Sequence, residues 1–187
     1  MSGWDDLDQA LSESGGSGGD FINLQDGESV TGVICGHPHR EPIFWTGSTY
    51  IPWVDSERSE DDRKTFQVSV NFYDVHAKKM RVLQGKVALG IALSATVKKY
   101  GKETGRLIND KPEKLLQHRV FEVKRIGERR STSFQIFLEP DIRLPEDMGQ
   151  MHDLAALAKR GNAAARGEED EAEVLEKNPQ AKSDLPF

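Results

Sequence analysis

Cysteine is all but missing from these 187 residues. Cys35 stands alone, so no intramolecular disulfide can form and no cysteine cluster can hold zinc. Long apolar runs are missing too: none approaches the roughly 20 residues that span a bilayer. The opening MSGWDDLDQA is acidic where a secretory signal would be basic, which points to a cytoplasmic protein. Apolar residues make up 36% of the chain. That is below the ~45–50% of globular proteins on a scale that also counts glycine, so part of the chain is expected to stay unpacked. Catalytic signatures are absent as well. There is no glycine-rich phosphate loop and no G-x-S-x-G elbow. His37 and His39 flank Pro38 with no cysteine or further histidine close in sequence, and Asp61-Asp62 fall in a charged stretch that reads as solvated. The sequence therefore predicts neither an enzyme nor a metal or cofactor site.

What is there begins with length and charge. The chain is long enough for one ordinary domain plus appendages. Its formal net charge is −6, but the negative charge sits at the ends. Residues 1–20 carry five acids and no Lys or Arg, and residues 168–187 carry seven acids against Lys177 and Lys182. The stretch 21–150 holds 20 basic and 18 acidic residues. A mildly basic middle between acidic ends leaves binding to a polyanion open, because phosphates respond to local charge.

Along the chain, residues 12–19 (SESGGSGG) read as a flexible linker. Before them, Trp4, Leu7 and Leu11 lie near helical spacing, which allows a short docking element, though a disordered tail with an incidental Trp accounts for them better. Asp26-Gly27 signals a turn, followed by β-rich residues 29–36 and short aromatic strands at 43–45 and 50–54. Residues 55–64 form a charged loop. Residues 65–73 alternate cleanly, with Phe66, Val68, Val70 and Phe72 on one face and Gln67, Ser69, Asn71 and Tyr73 on the other. A short strand is expected at 80–84 and a helix at 86–100, stopped by Gly101. Residues 101–119 read as loop with a short helix near 114–117, and 119–126 with 131–139 as a hairpin. The expected layout is a flexible acidic segment 1–20, a β domain 21–145, a short helix 146–160 and a disordered acidic tail 161–187.

This order predicts an all-β fold with one helix between the third and fourth strands. It is the order of the OB-fold β-barrel; a split β-sandwich or an open α+β sheet would give a similar string.

Two resemblances bear on function. The end Ser183-Asp184-Leu185-Pro186-Phe187, behind an acidic run at 168–176, resembles the tails of bacterial single-stranded DNA-binding proteins, which finish in Asp-Asp-Ile-Pro-Phe or a close variant. Ser183 stands at the first Asp position and Leu185 at the Ile position. A terminal Phe offers an apolar anchor and a carboxylate together, which an apolar pocket rimmed by Arg or Lys can capture. The core resembles a phage-encoded family of single-stranded DNA-binding proteins over roughly residues 21–142. The likeness rests on FINLQDGESV at 21–30, Phe44-Trp45, residues 65–71, and Arg125-Ile126-Gly127 leading to 131–140. It implies an OB-fold that coats replication or recombination intermediates in the host cytoplasm, while the tail's own resemblance implies that Asp184, Leu185, Pro186 and Phe187 recruit replication, recombination or repair partners. Some relatives hold zinc after the aromatic strand, but residues 55–64 here contain no Cys or His.

The residues themselves support the same expectation. A protein that binds single strands without reading sequence needs a positive groove and aromatic faces for bases. Trp45, Tyr50, Trp53 and Tyr73 are the aromatic candidates, Tyr73 foremost for its place on the polar face of 65–73; the two Trp residues suit core packing equally. The cationic candidates are Arg63, Lys64, Lys78, Lys79, Arg81, Lys124, Arg125, Arg129 and Arg130. Lys98, Lys99 and Lys102 fall at a helix end, where they complement its dipole. Two other readings stay open: an acidic interaction scaffold, and an RNA or duplex binder of the same fold. Homo-oligomerisation is also left open.

Overall fold

The computed structural model describes residues 20–48, 50–54, 63–128 and 131–165, with backbone alone for 162–165. In chain order its elements are β1 (Phe21–Ile22), β2 (Ser29–Trp45), β3 (Tyr50–Pro52), β4 (Lys64–Asp74), β5 (Lys79–Gly85), α1 (Val87–Tyr100), β6 (Lys102–Ile108), β7 (Lys111–Leu115), β8 (Phe121–Ile126), β9 (Ser133–Leu138) and α2 (Leu154–Ala165).

The long strand β2 organises the sheet. Its first residues pair antiparallel with β8, and most of its length pairs antiparallel with β4. A register shift between Cys35 and His39, where Gly36 takes φ 67° and Pro38 lacks an N–H, lets the strand bend rather than run flat. Gly32 permits a second close approach, because a Cβ there would run into the Tyr73 carbonyl and the Phe72 ring. The full sheet order is β1-β5-β4-β2-β8-β9, with β3 hanging from the far end of β2 and β1 parallel to β5. The result is a curled half-barrel; among the described residues no ladder joins β9 back to β5 or β1.

The alternation expected at 65–73 places Val68, Val70 and Phe72 inside the curl, with Ile34, Leu83, Phe121 and Val123. The helix α1 closes this core with Leu89, Leu93 and Val97, leaving Val87 and Ile91 outside. Burying a side chain such as Phe72, Leu83, Leu89 or Phe121 contributes about 1.5–3 kcal/mol. The helix ends at Gly101, whose N–H bonds the Val97 carbonyl at 2.9 Å. A Cβ at Gly101 would press on that same carbonyl.

The outer face of the sheet differs from expectation. Tyr73 is buried, with Val33, Cys35, Met80 and Val120, beneath Ile142, Leu144 and Met148 of a strap that follows β9. Burial pushes the Cys35 thiol up to about 11. The strap is pinned where the Asn71 amide donates to the His152 carbonyl at 3.0 Å and accepts from the His152 N–H at 2.9 Å. A polar face of β4 is thus covered by later chain, which sequence alternation alone does not reveal.

Two further expectations are corrected. The helix foreseen from residue 146 begins at Leu154, because Asp153 Oδ1 accepts the N–H groups of Ala155 and Ala156 at 3.1 Å and caps it there. It runs to Ala165, into the stretch assigned to the tail, and packs against β2, β3 and β4. Residues 101–119, read as loop with a short helix, form the hairpin β6–β7 as a separate two-stranded sheet. Asn109 (φ 50°) and Asp110 (φ 61°) supply its turn, both in the left-handed region that their short polar side chains tolerate.

Candidate nucleic-acid interface

Beyond the half-barrel, the end of β2 continues between β3 and the start of β4 as a three-stranded arm. Successive strand residues face opposite sides, so the aromatics of Phe44-Trp45 are divided between the arm's two faces. Trp45 lies directly across from Tyr50, with ring centroids 4.7 Å apart. On the other side Phe44 meets Trp53 edge-on at 6.2 Å, and the Lys64 ammonium stands 5.2 Å from the Trp53 ring. The expected aromatics therefore do not form one platform. Trp45 and Tyr50 act together, while Trp53 serves a separate cluster with Lys64.

The Trp45–Tyr50 face closes one side of a cleft of about 610 Å³. Its floor and far side come from the end of β5, the first turn of α1, and the β8–β9 hairpin. The Lys86 ammonium caps the Tyr50 ring at 3.6 Å, and Arg125 and Phe134 approach from the hairpin. Arg125 is held in place by its Nη1, which donates to the Leu24 carbonyl at 2.6 Å, and by backbone bonds to Gly27 and Glu28 at 3.0 Å. Its Nε is buried without a protein partner. The side chains of Gln67 and Gln84 add amides to the wall, Gln84 being oriented by its bond to Ser69 Oγ at 3.3 Å. No carboxylate lines the cleft among the described residues. The first turn of α1, which also carries no acid, presents its positive end there. An aromatic pair, two cations and neutral amides in an acid-free hollow can hold a flat ring beside an anionic group.

The remaining expected cations divide by what holds them. Arg81 is half-buried and structural: its guanidinium meets Asp74 at 3.0 Å and the Phe21 carbonyl at 3.1 Å. Burial works to raise the Asp74 carboxyl, but the Ala77 N–H, Arg81 and the His76 N–H outweigh it and hold the group below its ordinary value. Lys79 pairs with Asp20 at 3.3 Å, and Lys78 sits in the exposed turn with φ 54°. Lys124 lies on β8 beside Arg125 and so faces away from the cleft. Arg63 is exposed at the start of the arm's third strand. Tyr73, the foremost aromatic candidate, is buried and has no face to offer a base. Arg129, Arg130, Trp4 and the tail residues Asp184, Leu185, Pro186 and Phe187 lie outside the described residues.

Sequence reasoning missed Lys86, Gln67, Gln84 and Phe134. Only Phe134, inside a strand next to the Gly127 turn, carried any local signal. Lys86 reaches the cleft because it precedes the helix that folds back beneath the arm. Two histidines make contacts of their own, His37 with Glu113 and His39 with Glu41, each at 3.1 Å. Among the described residues no group of three His, Cys, Asp or Glu side chains gathers as metal ligands. No described helix is long and apolar enough to cross a membrane. No family model, curated protein or solved structure matches the chain.

Proposed function

We propose that the chain binds single-stranded DNA with little sequence preference, using the cleft between the arm, α1 and the β8–β9 hairpin. The observation that carries this reading is the meeting of Trp45, Tyr50, Lys86 and Arg125 in one hollow without a carboxylate. Bases stack on the exposed Trp45 ring, while Lys86 and Arg125 take the phosphates by counterion release. Stacking on any ring is available to every base, which is why such a site tolerates sequence.

The order β2, β4, β5, α1, β8, β9 supports assigning the core as an OB-fold, five principal strands with the helix between the third and fourth. The resemblance to phage single-stranded DNA-binding proteins gives the setting: replication, recombination or repair of DNA in a host cell. The acidic end recruits partner proteins through Asp184, Leu185, Pro186 and Phe187. It also competes for the cleft when DNA is absent.

The test is a titration of labelled oligo-dT at several salt concentrations, with duplex DNA and oligo-U of equal length as competitors. Tight, salt-sensitive binding that neither competitor displaces supports the proposal. Displacement by oligo-U would move the ligand to RNA. No binding at low salt would leave an interaction scaffold as the better account.

A further inference from the structure

The hairpin β6–β7 stands apart from the seven-stranded sheet, and every residue of β6 is exposed. Leu107 and Ile108 beside its turn are 64% and 46% exposed. A two-stranded ribbon is marginally stable in water, so one that buries little is poorly explained by packing. Its exposed cations outnumber its exposed acids. Lys102, Arg106, Lys111 and Lys114 line the ribbon, and Lys98 and Lys99 stand at its root on the last turn of α1. Of the three acids, Glu103 lies 4.0 Å from Lys114, Glu113 is buried against His37, and Asp110 is exposed in the turn beside Lys111. Complementing the helix dipole accounts for Lys98 and Lys99, but not for cations spread along the ribbon. Burial first, then Lys102 and Arg119, hold His118 below the ordinary histidine value, against the hydrogen bond that its ring donates to the Tyr100 carbonyl.

We propose that the β6–β7 hairpin is a second contact for the same single strand, gripping its phosphates outside the cleft. This rests on the reading of the cleft as a single-strand site. The cleft lies at the N-terminal end of α1 and the hairpin at its C-terminal end. A helix of 14 residues spans about 21 Å, so only a strand that outruns the cleft can touch both. Exposed cations spread along a ribbon and its root suit the repeating phosphates of an extended polyanion.

The experiment uses the full chain and the triple variant K102Q/R106Q/K111Q. Each is titrated with oligo-dT of about 5 and about 20 nucleotides, bracketing the site sizes of such folds. Removing three phosphate contacts should lower the salt slope for the long oligomer by about 2, and its affinity about 100-fold at 0.1 M salt. Binding of the short oligomer should not change. R106E alone, at an exposed position, should weaken long-oligomer binding in the same direction even if the triple variant unfolds. If both variants bind the long oligomer like the wild type, the hairpin serves another partner and the proposal fails alone. If the wild type binds neither oligomer, the cleft reading fails and takes this one with it.

Discussion

The Lys86 ammonium stands 3.6 Å from the centroid of the Tyr50 ring, tying the start of α1 to the tip of the arm. One side of Tyr50 is thereby occupied and the other leans on Trp45. Trp45, 45% exposed, is left as the face on which a base can lie. The division of labour predicts different losses. Trp45→Ala should lower oligo-dT affinity by the value of one stacked base, about 1–3 kcal/mol, or roughly 5- to 150-fold. Lys86→Gln should instead reduce the salt slope by about 0.7. Fluorescence anisotropy across a salt series separates the two, and equal slopes for wild type and Lys86→Gln would remove Lys86 from the phosphate path.

Tyr73 provides the contrasting case. It is buried under the strap with Cys35 and Met80, so Tyr73→Ala should behave as a core truncation. A loss of about 3–5 kcal/mol in stability is expected. Affinity per folded molecule should stay within twofold of wild type. Denaturant unfolding and active-site titration measure the two quantities separately. A large affinity loss in protein that is still folded would return Tyr73 to the interface.

The contrast between Trp45 and Tyr73 marks how much could be read from the sequence. Both sit where a strand's alternation points them away from the barrel core, and period-2 patterning gave β4 and its inner face correctly. Whether an outer face stays wet depends on chain that arrives later. Residues 139–145 read as the close of the β region and 146–153 as the start of a surface helix, so nothing announced that this stretch would cover Tyr73. The helix α1 was readable because its Leu89, Leu93 and Val97 recur at helical spacing. The hairpin β6–β7 was not, since β6 is exposed along its whole length and neither strand carries an apolar alternation. Its one local cue was Asn109-Asp110, a pair able to adopt the left-handed turn. In the site, residue type identified Trp45, Tyr50 and Arg125, while Lys86 is brought in by tertiary folding alone.

Asp74 gives the sheet's outer turn a pH dependence. Its carboxylate accepts from the His76 and Ala77 N–H groups at 3.0 Å and from Arg81 at 3.0 Å. Its folded value lies below the ordinary one. The stability this provides is fully present above the ordinary aspartate range, and is lost as pH falls through the lowered folded value. Asp74→Asn should be less stable than wild type at neutral pH, with the gap narrowing in acid. Thermal midpoints between neutral and acidic pH test this. Parallel curves for the two proteins would mean that the turn does not depend on the charge.

The acidic end should be felt at the cleft, because α2 leads into it and packs against β3 of the arm. If residues 166–187 stay as unpacked as their composition predicts, 22 residues have a root-mean-square reach of about 25 Å. Such a reach would bring its acids to Lys86 and Arg125 at an effective concentration of about millimolar. Deleting 168–187, which removes a net charge of −5, should tighten oligo-dT binding at low salt. The gain should fade as salt screens the competition. The same truncation should leave α2 and the strap folded, since both precede it. Unchanged low-salt affinity after deletion would confine the acidic end to partner recruitment.

Asn71 tests whether the strap belongs to the folded unit. It is buried, and its amide answers both the N–H and the carbonyl of His152. Asn71→Leu would leave both backbone groups unpaired in a buried setting, each costing about 1–3 kcal/mol. The strap has an escape that a core strand lacks: it can lift and rehydrate those groups. Lifting uncovers Tyr73, Cys35 and Met80. Local opening should therefore precede global unfolding in the variant. Hydrogen exchange should show the His152 amide losing protection while amides of β4 and β8 keep theirs. The Cys35 thiol should also become accessible to a thiol reagent, whereas the wild-type thiol is buried and pushed up to about 11. If exchange accelerates uniformly and Cys35 gains no reactivity before unfolding, the strap is part of the cooperative core and Asn71 is one more buried contact within it.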